Sequence, residues 1–208
     1  MILSLIILYV LTLIYLSIAD RFRNHTTILA LQGLLLFGIA MARLHEFHPM
    51  EMSFIIAETL IFKAIVIPAI LMRVIRQTKI NRIHSSSSQF GALVMSIVAL
   101  VASCTITYYM AGEDANMIFF GVALYALLSG LILIVMRKRI FAHLIGFLVI
   151  ENGVFLFSMA IGVELPMLIN LAIMLDILIS ILILGMFLRR MDEEIHTDET
   201  DALTSIKD

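Results

Sequence analysis

The stretch Ile140-Phe141-Ala142-His143-Leu144-Ile145-Gly146-Phe147-Leu148-Val149-Ile150-Glu151-Asn152-Gly153-Val154-Phe155-Leu156-Phe157-Ser158-Met159-Ala160-Ile161 holds one acid, Glu151, at its centre and is otherwise almost wholly apolar. A bilayer core of about 30 Å needs roughly 20 apolar residues in a helix. The segment therefore reads as a transmembrane helix with a carboxyl group at mid-depth. Six further runs of the same kind flank it. The expected spans are 1–19, 26–42, 53–72, 90–111, 117–136, 140–161 and 166–188.

Composition agrees. The 208 residues are 62% hydrophobic and 14% charged, against roughly 45–50% and about 25% in soluble domains. Three prolines and ten glycines leave little chain for turns. A single cysteine, Cys104, excludes an internal disulfide framework and a thiolate metal cluster. The connections are short, the longest holding Ser85 to Ser88, so residues 1–190 read as one transmembrane domain. Residues 191–208 are acidic, polar and aperiodic, and read as an exposed cytoplasmic tail. Ser17-Ile18-Ala19 resembles a signal cleavage site, but Arg21 and Arg23 follow the apolar run instead of preceding it. That order is opposite to a signal peptide, so a retained first helix is expected.

Lys and Arg fix the expected orientation. Arg21 and Arg23, then Arg73, Arg76, Lys79 and Arg82, then Arg137, Lys138 and Arg139, then Arg189 and Arg190 follow alternate helices. Glu46, Glu51, Glu113, Asp114 and Glu164 occupy the opposite connections, and Arg43 alone breaks the pattern. The positive-inside rule then places the N-terminus outside and the C-terminus inside.

Three ionisable residues lie where lipid would penalise them. Insertion scales charge about 2.5–3.5 kcal/mol for an acid or base at mid-helix. Glu151 lies twelve residues after Arg139, and Lys63 and Asp176 lie thirteen before Arg76 and Arg189, about 20 Å along a helix. Glu58 shares the helix of Lys63. Five residues rotate an α-helix by a net angle of about 140°, so separate partners are expected for those two. One reading is structural, with Lys63 neutralising Glu151 or Asp176. The other is functional, with these groups as steps of a proton path. A low dielectric brings buried acids and amines closer to exchanging protons at neutral pH, and intramembrane ionisable groups commonly mark ion routes.

Secondary candidates are His143, Tyr125, Ser129, Asn152 and Asn170. His143 lies eight residues before Glu151, at the inner mouth, where it could feed protons inward or simply sit at the interface. Asn152 and Gly153 are expected to serve packing. His45 and His48 lack the further ligands a zinc site needs. No phosphate loop, nucleophile elbow or cluster-binding cysteine pair is present, so no catalytic, cofactor or metal site is expected on this chain. Nothing suggests nucleic acid as a partner.

Gln32-Gly33-Leu34-Leu35-Leu36-Phe37 echoes Asn152-Gly153-Val154-Phe155-Leu156-Phe157. The echo suggests a parallel repeat of two three-helix units, helices 1–3 and 5–7. In it Lys63 takes the place that Asp176 holds in the second unit.

Arg139-Ile140-Phe141, Leu144-Ile145-Gly146, Glu151-Asn152-Gly153, Glu164-Leu165-Pro166, Asp176 and Arg189-Arg190, together with Lys63 to Pro68, resemble the membrane protein family known as hydrogenase-4 component E. The C-terminal half of that family is similar to the small K subunit of complex I and to its counterpart in Mrp-type antiporters. In those relatives carboxylates in two helices form part of a proton path, and Asp176 falls where one of them is expected; the further proton-path candidates Glu151, Lys63, Glu58 and His143 come from their placement in this sequence. Glu151 lies about one turn beyond the position where the complex I relative has its glutamate. The resemblance also implies antiporter-like membrane subunits and a soluble redox arm as partners. The nickel–iron site and iron–sulfur clusters would lie on those partners, and the location would be the prokaryotic cytoplasmic membrane. The chain itself would be a non-catalytic subunit of an oxidoreductase complex. The alternative is a subunit of an Mrp-type cation/proton antiporter without a redox partner. A seven-helix receptor is disfavoured by the short loops, and a scaffold with register-fixing charges remains a further class.

Overall fold

A computed structural model describes residues 2–19, 21–43, 53, 55–78, 89–110, 116–137 and 140–161. The expected last span, 166–188, lies outside them, as do Asp176, Asn170, His45, His48 and the tail. The helices are α1 (Ile2–Ile18), α2 (Phe22–Arg43), α3 (Ile56–Val66 running directly into Ile67–Thr78), α4 (Gln89–Met110), α5 (Asn116–Met136) and α6 (Ile140–Ile161). Four of these stretches, Phe22–Arg43, Phe90–Met110, Met117–Met136 and Phe141–Ala160, are long and apolar enough to cross a membrane. The protein is an all-α membrane protein.

Two helices depart from the sequence expectation. Helix α2 starts four residues earlier than position 26. Carbonyls of this extra turn accept from side chains one turn on: Thr26 Oγ1 donates to the Phe22 carbonyl at 3.1 Å, Thr27 Oγ1 to that of Arg23 at 3.0 Å. Phe22 anchors the turn edge-on against Phe141, with ring centroids 4.6 Å apart. Helix α3 extends six residues past position 72, and its first half, Ile56–Val66, is wound as a π-helix. Here each N–H reaches the carbonyl five residues back; Ile67 N–H, for example, bonds to Phe62 O. Pro68 then ends this winding. Proline has no N–H to continue the ladder, and in an α-helix its ring would collide with the carbonyl four residues before it, that of Ala64. A wider turn upstream relieves that collision.

Small residues decide how closely the helices approach, as expected where lipid gives no hydrophobic drive between them. Helices α5 and α6 meet glycine on glycine. A Cβ on Gly130 would stand 2.7 Å from Gly146 O, and one on Gly146 would stand 2.8 Å from Gly130 O. About two turns further on, Gly153 lies against the backbone at Ala123 and Leu127. Helix α2 approaches the π-wound segment in the same way: a Cβ on Gly33 would lie 2.7 Å from Ala64 N and 2.8 Å from Lys63 C.

Two arginines tie the ends of the bundle. Arg137 is buried, and its Nη2 donates to the carbonyls of Ser17 at 3.2 Å and Ala19 at 3.3 Å, satisfying the C-terminus of α1. At the opposite end Arg43 Nη1 donates to Met159 O, and its guanidinium lies 4.6 Å above the Phe119 ring. The one basic residue that broke the charge alternation therefore works as a cap on α6.

Backbone crowding yields a graded prediction. Gly146→Ala should destabilise the purified protein by about 1–3 kcal/mol, because the added methyl meets backbone and a β-branched neighbour that cannot retreat. Gly38→Ala should stay within about 0.5 kcal/mol, since its nearest contact would be the Leu5 side chain at 3.4 Å. Equilibrium unfolding in mixed micelles measures both, and equal losses would remove the packing explanation.

Candidate functional site

The bundle brings three of the five sequence candidates into one cluster. Lys63 on α3 places its Nζ 3.3 Å from Glu58 Oε1 and 3.2 Å from Glu151 Oε1. The same ammonium lies 4.6 Å from the centroid of the Phe155 ring, one turn beyond Glu151 on α6. Lys63 side-chain exposure is 4%, against 10% for Glu151, so the amine is enclosed while the acid on α6 keeps a little access. Glu151 is eleven residues from the start of α6 and ten from its end, roughly 16 Å deep. The cluster therefore lies near the middle of the bundle.

The fold gives Lys63 a separate partner, Glu151, as expected, but it does not keep Glu58 and Lys63 apart. They pair with each other. The expectation assumed α-helical rotation, whereas π-winding hydrogen-bonds residues five apart and so brings positions i and i+5 onto nearly one face. The backbone winding thus makes the first ion pair, and packing of both α3 and α6 on α2 brings Lys63 within reach of Glu151 for the second. Gly33 on α2 supplies the room, since any larger side chain would press on the backbone of Lys63 and Ala64.

A second polar chain runs beside the first. Asn152 Nδ2 donates to Gln32 Oε1 at 3.3 Å, Gln32 Nε2 donates to Thr12 Oγ1 at 3.1 Å, and Thr12 Oγ1 donates to the Tyr9 carbonyl at 2.6 Å. All three side chains are buried. Every donor in this chain points the same way and the last acceptor is backbone. Amides of this kind fix helix register and leave the acid–base chemistry to the ionisable cluster. Residues Asn152 and Glu151 are neighbours, so the chain fixes the rotation of α6 that aims Glu151 at Lys63. Sequence reasoning noticed Gln32 only as part of a repeat and missed Thr12 and Tyr9. The available signal was a long polar side chain at mid-helix, where one cannot reach the interface.

The remaining candidates lie elsewhere. His143 is at the Arg137 end of the bundle, with Nε2 2.7 Å from Arg137 O, two turns and about 12 Å along α6 from Glu151. Tyr125 shares a 2.7 Å hydrogen bond with Ser96 on α4, and Ser129 is buried on the same helix as Tyr125.

Removing one member of the cluster should reveal who neutralises whom. Lys63→Met leaves two buried acids facing one another and should cost about 3–5 kcal/mol, as for a broken buried ion pair. Glu58→Gln or Glu151→Gln leaves the ammonium with one carboxylate and should cost less. Unfolding titrations of the three variants give the order, and a Lys63→Met protein as stable as the parent would deny the lysine its role as counter-ion.

No protein-family model, curated protein or solved structure matches this chain.

Proposed function

We propose that the chain is a non-catalytic membrane subunit of a redox-driven proton- or ion-translocating complex of the hydrogenase-4 and complex I type. Its own contribution is a buried acid–base cluster through which a proton crosses the middle of the bilayer. The supporting observation is a count of charges. One amine, Lys63, stands between two carboxyls, Glu58 and Glu151. With all three ionised the cluster carries one surplus negative charge in a low-dielectric interior, where an uncompensated charge is costly. Its electroneutral form holds one additional proton. Such a group can take up and release a proton while the two pairings of Lys63 keep its charge matched.

Several finer features belong to the same reading. The chain crosses the membrane seven times, the seventh span being 166–188, with its N-terminus outside and its C-terminus inside. Arg21 and Arg137 flank the same end of the bundle, where Arg137 caps α1. Arg43 at the other end is engaged by α6 and Phe119, which weakens the only objection to that orientation. A parallel repeat gains support from the echoing segments: Gln32 and Asn152, equivalent in the echo, hydrogen-bond to each other. Gly33 and Gly153 both lie at close helix approaches. Asp176 would extend the path from the second unit, and His143 would serve its inner mouth. Partners would be antiporter-like membrane subunits and a soluble redox arm carrying the nickel–iron and iron–sulfur centres, in a prokaryotic cytoplasmic membrane. The resemblance in motifs to hydrogenase-4 component E supplies the redox part of this reading, and the buried cluster supplies the proton part.

Glu151→Gln and Asp176→Asn should assemble near the parent level and lower proton translocation by at least about tenfold, a modest loss for a proton-transfer group. Dye quenching in inverted membrane vesicles measures this, with blotting of the membranes as the control. Normal translocation in both variants would remove the relay. Identification of the subunits that co-purify separates the redox complex from an antiporter without a redox partner.

A further inference from the structure

Tyr9 is fully buried on α1, and among the described residues its hydroxyl has no hydrogen-bond partner. A buried phenol ordinarily finds one. Its backbone carbonyl ends the chain from Asn152 through Gln32 and Thr12, which places it at the depth of the ion cluster. The phenol lies within electrostatic reach of Glu151. Glu58 presents the complementary acceptor, since its Oε2 is also buried and, among the described residues, unpartnered. So the cluster contains one idle donor near Glu151 and one idle acceptor on Glu58, with a flexible ammonium between the two acids.

We infer that Tyr9 is a positioning residue that supplies Glu151 with a replacement donor: when the Lys63 ammonium closes on Glu58 alone, the Tyr9 hydroxyl donates to Glu151. The inference deepens the proton-path reading and rests on it. Nζ is already within 3.3 Å of both acids, so a rotamer change in the four-carbon stem of Lys63 suffices. Without a substitute donor, that movement would strand Glu151 in apolar surroundings beside Phe155. With Tyr9 it exchanges one partner for another, and both idle atoms become used. Among the described residues the titratable groups around Glu151 are Lys63 and Glu58 from α3 and Tyr9 from α1; Asn152 and Gln32 contribute uncharged amides only.

The test is Tyr9→Phe in the native complex, which removes one oxygen and keeps the ring in place. Glu151→Gln is carried beside it, and proton translocation by inverted vesicles is followed across a range of pH. The expected result is parent-level assembly, translocation slowed by about tenfold, as for one lost hydrogen bond to a charged group, and a pH profile displaced from the parent's. If Tyr9→Phe matches the parent in rate and profile while Glu151→Gln is impaired, the inference falls and the proton path stands. If both match the parent, the proton path falls and takes the inference with it. Loss of Tyr9→Phe from the membrane, or a lower rate with the parent's pH profile, would make the hydroxyl structural and would also overturn the inference.

Discussion

The arrangement of this bundle turns on one ammonium group held between two carboxylates in an apolar interior. Without Lys63, Glu58 and Glu151 would stand as two acids in a medium that solvates charge poorly. Other features of the described residues serve that placement. The π-winding of α3 brings Glu58 under Lys63, Gly33 lets α2 reach the same turn, and the Phe155 ring adds a quadrupole face to the cation. A buried ion pair is weak evidence for stability, because desolvation offsets most of its attraction. Two acids for one amine is a poor design for a static lock, and the proton-path proposal rests on that imbalance.

The two polar chains divide the labour. Asn152, Gln32 and Thr12 link α6, α2 and α1 through oriented hydrogen bonds that end on a carbonyl. They fix rotation without adding charge. The ionisable cluster lies beside them, carried by α3 and α6. Rigidity next to a flexible cation is what the proposed exchange of partners requires: the scaffold would hold the acids while the long lysine stem turned. Glycine contacts between α5 and α6 extend the rigid part, and the arginine caps at both ends satisfy carbonyls that helix termini leave open.

That Glu151 and Lys63 lie far from the ends of their helices was legible in the sequence, since counting from basic residues gives position along a helix directly. Their mutual pairing was available only as one of two readings. The Glu58–Lys63 pair was misread, because the angle between them was taken from α-helical geometry. Pro68 was the local clue, five residues after Lys63, but a proline announces a disturbed turn without saying which winding will replace it. Arg43 was read as a topological exception and Arg137 as one basic loop residue among several. Both cap the ends of other helices, and nothing in their own neighbourhoods says so.

Sequence by itself determined that the chain folds as apolar helices and that acids and an amine lie deep within them. Membrane insertion depends on the hydropathy of one segment at a time, so it can be read locally. Only the tertiary structure decided which charges meet, how α3 is wound and which polar groups are left idle. Those outcomes depend on helix rotation and on approach distance. Both are set by contacts such as Gly33 with Lys63 and Asn152 with Gln32, whose partners are 30 and 120 residues apart and carry no local mark of one another.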